Sequence, residues 1–203
     1  MLKAHEVVRF PTKMAAKELR NIVKKETGFS VRRLDNVTLL ALSAVDQLMK
    51  NNDTCKHLAL YSGAEYMSIE LFQSVILAME NNEAVRPYDF IATVGNAANF
   101  YLTKEFNIKG PNVFIGSSKN TLLKSGLLAS VDLNSGHCQQ AVIVIWQLDN
   151  EQQRCHALLV EKTVDIENNI QEWHSKLTNS DELLTLATKK DYPILLNLTL
   201  ERS

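Results

Sequence analysis

The sequence is poor in cysteine. Three residues among 203, Cys55, Cys138 and Cys155, make no disulfide framework, and no Cys-x-x-Cys pair offers a zinc site. Reduced thiols in a cytoplasmic protein are the expectation. An excess of one charge is also missing: Lys and Arg total 22, Asp and Glu 23, for a net charge of −1. The basic residues are scattered, which gives no reason to expect a nucleic-acid partner. No apolar run approaches the ~20 residues that cross a bilayer, and the N-terminal stretch has no apolar signal core, so no membrane insertion is expected. There is no internal repeat, no low-complexity tract and no Gly-x-Ser-x-Gly turn. No residue pattern points to a metal or a cofactor. What is left is an ordinary globular composition, 45% apolar and 22% charged. It is long enough for one domain over residues 1–203 with a core that needs no covalent staple.

Strand-like and helix-like stretches alternate along the chain. Core strands are predicted near Val7–Phe10, His57–Tyr61, Val113–Gly116, Ala141–Trp146, Ala157–Lys162 and Ile194–Glu201. The first, an edge strand, should stop at Pro11. Ala141–Trp146 is continuously apolar, as a strand covered on both faces should be. Helices are predicted over Thr12–Glu26, on the stripe Val37, Leu40, Ala41, Ala44, Val45 and Leu48, over Ser68–Met79 and over Thr93–Phe106. Asp35 or Asn36 is placed to cap the second of these. Ile69, Phe72, Ile76 and Met79 share one face of the third. Arg86–Phe90 reads as a loop, and Val164–Ser180 as a polar surface loop or short helix. The alternation predicts an α/β domain with a largely parallel sheet, its last pair free to join antiparallel.

The stretch Lys109–Gly136 carries the most chemistry. A Gly110–Pro111 turn precedes a short apolar strand, Val113–Ile115, and a polar knuckle, Gly116–Ser118. A helical run follows, with Leu123, Leu127 and Val131 at four-residue spacing. Strand, tight turn and buried helix present a nucleophile in many folds, with helix N–H groups aimed at a developing anion. The stretch resembles the nucleophile elbow of β-ketoacyl synthases of the thiolase superfamily, Gly-Pro-x-x-x-Ile-x-x-Ala-Cys-x-Ser-Gly. Gly110, Pro111 and Ile115 match; Ser118 takes the alanine position and Lys119 the cysteine. Upstream, Arg32-Arg33-Leu34-Asp35 resembles the family's Arg-Arg-Met-Asp helix start. Phe90, Ile91 and Asn96 fall in register with its Pro-x-x-Phe-Ile…Asn-x-x-Ala stretch, and Leu183–Lys190 resembles the helix before its linker strand.

The resemblance covers nearly the whole chain but only the first half of such an enzyme. It implies the three-layer α/β/α half of a thiolase-like fold, with a mostly parallel sheet. It also implies losses. Lys119 replaces the nucleophile, so no catalytic residue is assigned, and Leu122 stands on a glycine position, where its bulk crowds an acyl chain. The two histidines of the family's second half have no counterpart among His5, His57, His137, His156 and His174. The excursion between the fourth and fifth strands shrinks to Leu148–Arg154. A half of this kind leaves an apolar layer and a strand edge uncovered, which an obligate partner resolves.

The function implied is that of a non-catalytic subunit, similar to a truncated chain length factor of a type II polyketide or aryl polyene system. Its expected partners are a full-length ketosynthase, in a heterodimer, and transiently an acyl carrier protein, in polyketide or fatty-acid-like chain elongation. The expected interface is Val113, Phe114 and Ile115, pairing antiparallel across the dimer axis, with Asn96 and Phe100 over the seam. Phe100, Tyr101, Phe114 and Leu122 are the candidates for an acyl tunnel, with plain core packing as the competing use. Two other functions stay open: an acyl-thioester decarboxylase or hydrolase working from Lys119 or Ser118, and a carrier-protein-binding scaffold.

Overall fold

The computed structural model describes residues 2–12, 15–65, 69–116, 121–149, 152–162, 172–173 and 194–196. The order of elements is β1 (Leu2–Thr12), α1 (Ala16–Thr27), α2 (Asn36–Asn51), β2 (Leu58–Ala64), α3 (Ile69–Glu80), α4 (Pro87–Ala92), α5 (Ala97–Glu105), β3 (Asn112–Gly116), α6 (Thr121–Ser135), β4 (Gln140–Asp149), β5 (Gln152–Lys162), β6 (Glu172–Trp173) and β7 (Ile194–Leu196). The strands form one sheet in the order β3-β2-β4-β5-β1-β7-β6.

The sheet has two characters. β3, β2 and β4 are parallel, a pairing that needs the helical crossovers found between them, with Leu60 opposite Asn112 and Val142. β5 returns antiparallel to β4 through residues 150–151, so the connection is shorter than the seven residues predicted for it. β1 lies antiparallel between β5 and β7 and is therefore an inner strand over Leu2–Ala4. It also runs through Pro11, which sits opposite Arg154. Beyond Ala4 only one side of β1 has a described partner. A strand with one open side is where a sheet tolerates proline.

β2, β4 and β5 alternate their side chains between two cores. Leu58, Leu60, Val142, Val144, Trp146, Ala157 and Leu159 pack with α1, α2 and α5. Ala59, Tyr61, Ala141, Ile143, Ile145, Leu158 and Val160 face the side where Leu122, Ala129 and Leu133 of α6 lie. Helices on both faces of a buried sheet make the three-layer α/β/α arrangement. The helix α2 is the centre of the first core. Its predicted stripe is buried, and so are Leu39, Leu42 and Ser43 between, so the helix is enclosed on nearly all sides. Asp35 caps it, accepting from Thr38 N at 2.9 Å and Thr38 Oγ1 at 2.8 Å. Trp146 Nε1 donates to Val37 O at 3.0 Å and ties β4 to the same turn.

Three local predictions change. The stretch read as the loop Arg86–Phe90 caps and begins α4, which Pro87 opens at a position where its fixed φ and missing N–H suit a first turn. Thr93–Asn96 are turn residues, and the helix expected from Thr93 starts at Ala97. Glu172–Trp173, inside the predicted surface segment Val164–Ser180, form a strand. The helix Leu183–Lys190, and the final strand beyond Leu196, lie outside the described residues.

The elbow and the open edge of the sheet

β3 is held against β2 by the turn before it. Gly110 N donates to Leu58 O at 3.0 Å, and Leu60 N donates to Pro111 O at 2.8 Å. A Cβ on Gly110 would stand 2.6 Å from Leu58 O, so only glycine lets the chain come this close. β2 is the only described partner of β3, which leaves its other side an open sheet edge. Val113, Phe114 and Ile115 are half-buried. Val113 faces the α6 core, and Phe114 faces the α2 core, with its ring under Gly95 in the turn before α5.

The two faces of β2 position what surrounds this edge. Ser62, on one face, donates to Asn99 Oδ1 at 2.6 Å, and Asn99 Nδ2 donates to Asn112 Oδ1 at 2.7 Å. This buried relay joins β2, α5 and β3, and a hydrogen-bond partner is what a buried asparagine requires. Gly63, on the other face, is where α6 comes nearest the sheet: a Cβ there would lie 2.1 Å from Thr121 Cγ2 and 3.0 Å from Ile115 O. The start of α6 thus lies beside the C-terminal ends of β2 and β3. Residues 117–120, which include Ser117, Ser118 and Lys119, lie outside the described residues.

This arrangement has counterparts among solved structures. A chain of the ketosynthase ApeO in complex with its chain length factor ApeC, from Xenorhabdus doucetiae, matches 80% of this chain over 79% of its own, with a TM-score of 0.60 and 15% identity. The chain has a ketosynthase-like fold. The ishigamide ketosynthase/chain length factor matches 71% of this chain at a TM-score of 0.60 and 17% identity. A chain of AntDE:AntF, a type II PKS acyl-carrier protein in complex with its ketosynthase bound to the hexaketide, matches 79% at 0.57 and 11% identity. The chain spans 49% of the length of the ishigamide neighbour and 62% of the AntDE:AntF one. At these identities the likeness is one of fold. No family model matches the sequence, and comparison with curated proteins finds no relative.

Within the ketosynthase-like fold the predicted site residues divide between the two faces of the sheet. Phe114 and Tyr101 pack on the α2 core. Phe100 is 63% exposed and meets Tyr101 edge-on, with ring centroids 5.3 Å apart. Asn96, also exposed, precedes α5 and makes no side-chain cap. Leu122 is buried on the opposite face, in the α6 core.

No cysteine lies on β3 or in α6. Cys55 precedes the start of β2 and Cys138 the start of β4, at the far end of the parallel strands from Gly63 and Gly116. Cys155 is in β5 and fully buried. Burial, aided by Asp132 and Cys55, pushes the Cys138 thiol up to about 11, and burial also raises Cys155. Neither is a ready thiolate.

Two features escaped the sequence reading. Tyr61 donates to Asp132 Oδ2, and Asp132 Oδ1 meets His137 Nδ1 at 2.8 Å. The chain between them closes α6, with Gly136 at φ 76° and His137 N donating to Asp132 O at 2.9 Å. Burial, then the bond to Asp132, raises the Tyr61 hydroxyl; the bonds from Tyr61 and then His137 lower Asp132. The spacing of Asp132 and His137 around a glycine was legible, but the pairing with Tyr61 was not. The second feature is the exposure of α3: its apolar face is marked by the period, but nothing in the period says that it lies uncovered.

Proposed function

We propose that this chain is a non-catalytic ketosynthase-like subunit, a chain length factor. It pairs with an active full-length ketosynthase in the elongation of polyketide or fatty-acid-like chains on an acyl carrier protein. The observation that carries this reading is the edge at β3, whose only described partner is β2, with the exposed Phe100 on the helix that packs against it. An unpaired edge of this kind templates association unless something covers it. Among the neighbours, ApeO is a ketosynthase in complex with its chain length factor, which supports a ketosynthase as the cover here. Lys119 on the cysteine position supports a subunit that loads no acyl chain itself. The carrier protein meets the complex transiently, and Phe100, Tyr101, Phe114 and Leu122 are our candidates for contact with the growing chain.

Co-expression with a full-length ketosynthase of the same genome, followed by size-exclusion chromatography, tests the pairing. A stable one-to-one complex is expected. Two separately eluting proteins at micromolar concentration would refute it.

A further inference from the structure

The face of α3 that sequence periodicity marks as apolar looks away from the body. Phe72 is 52% exposed, Ile76 44% and Met79 64%. Val75 alone on this helix is buried among the residues whose side chains are described. The inner side is loosely seated too. Leu71 and Ser74 border a cavity of about 310 Å³, whose far wall includes Arg20, Arg33 and Leu34. α3 packs chiefly on α4, which itself leaves Phe90 at 60% exposure and Ile91 uncovered. Helices that bury so little of their apolar surface gain little from the fold they belong to, and contiguous apolar patches mark contact sites.

We infer that α3 and α4 form the main anchoring face for the ketosynthase, with β3 supplying register more than area. The inference rests on the pairing reading above. Two observations commit the face to that occupant. First, β3 has five residues, about 17 Å of strand, and such an edge falls short of the roughly 800 Å² per partner that a stable complex buries. A second element must contribute. Second, the exposed helices continue directly from the edge. Phe114 of β3 lies under Gly95, the turn at Gly95 follows α4, and α4 carries α3. A partner that covers the β3 edge on the α2 side meets this face next.

The test compares the wild-type chain with the triple variant Phe72→Gln, Ile76→Gln, Met79→Gln, all three exposed and all replaced by a good helix former. Affinity for the full-length ketosynthase is measured by biolayer interferometry, and the fold by circular dichroism. The expected result is a loss of at least thirtyfold with unchanged helix content. Leu128→Gln with Val131→Gln, on the exposed side of α6, should bind as wild type. Hydrogen–deuterium exchange on the wild-type complex, which needs no variant, should show protection of residues 69–80. If the triple variant binds within threefold of wild type, or residues 69–80 stay unprotected, this inference fails while the pairing reading stands. Absence of any wild-type complex removes both. A wild-type homodimer that the triple variant turns monomeric, with ketosynthase binding intact, would instead make this a self-association face.

Discussion

At Gly63 the absence of a side chain decides whether α6 can reach the sheet. With no Cβ, the residue leaves Thr121 and the Ile115 carbonyl at close approach. Thr121 is a buried residue at the helix start and the Ile115 oxygen is backbone, so neither yields cheaply. Gly63→Ala should therefore cost about 1–3 kcal/mol, read as a lower urea midpoint with an unchanged slope. Tyr61 makes a second residue-scale case, and here the sign of a pH effect can be worked out. Asp132 is held below its ordinary value of 3.8, first by the Tyr61 hydroxyl and then by His137. A carboxylate depressed on folding contributes stability that is complete above its unfolded value and lost as pH falls through the folded one. Tyr61→Phe removes the larger of the two causes. Its loss, about 1 kcal/mol at pH 7, should shrink below about pH 4 as Asp132 takes up a proton. Thermal unfolding at several pH values checks this, and a loss constant from pH 7 to pH 2.5 would mean that packing, not the bond, was removed.

Whole elements show where pattern and fold part company. α2 was legible because its apolar period and its capping carboxylate agree. Asp35→Ala, which removes bonds to both Thr38 N and Thr38 Oγ1, should lower stability by about 1 kcal/mol or somewhat more. Ala141–Trp146 was legible for the same reason: an unbroken apolar run fits a strand covered on both sides. α3 shows the limit. Ile69, Phe72, Ile76 and Met79 recur at helical spacing whether they face a core or a partner, because the period records amphipathicity and not what covers the face. β1 shows another. Pro11 reads as a strand end, yet the pairing partners that decide its tolerance come from more than 140 residues away in sequence. The buried relay through Asn99 is not legible in the sequence, since Ser62 and Asn112 meet it through tertiary packing. β3 itself was placed within one residue, and its edge position follows from the sheet order. Phe114→Asp sets a carboxylate under Gly95 and against the α2 core, with no described cation to receive it. Burial without a partner should leave the chain insoluble or unable to pair with the ketosynthase, which co-expression yield reports directly.

At the scale of the molecule, the question is whether any group in this chain can carry an acyl intermediate. β2 spans seven residues, about 23 Å of strand. The elbow stands at one end, while Cys55 and Cys138 stand before the other. Cys138 and Cys155 are buried, with thiols pushed away from the thiolate form. Transfer of an acyl group onward needs a thiolate or an equivalent leaving group beside an oxyanion site. Lys119, which the sequence resemblance sets on the cysteine position, would form an amide that goes no further. Incubation of the isolated chain with acyl-carrier-protein thioesters should therefore give no mass increment at Cys55, Cys138, Cys155 or Lys119. If the chain is the non-catalytic subunit proposed above, Lys119→Ala should leave both assembly with the ketosynthase and turnover within about twofold of wild type. A stable adduct on any of these four residues would make the chain an enzyme in its own right. Turnover abolished by Lys119→Ala with the complex intact would locate chemistry at the elbow after all.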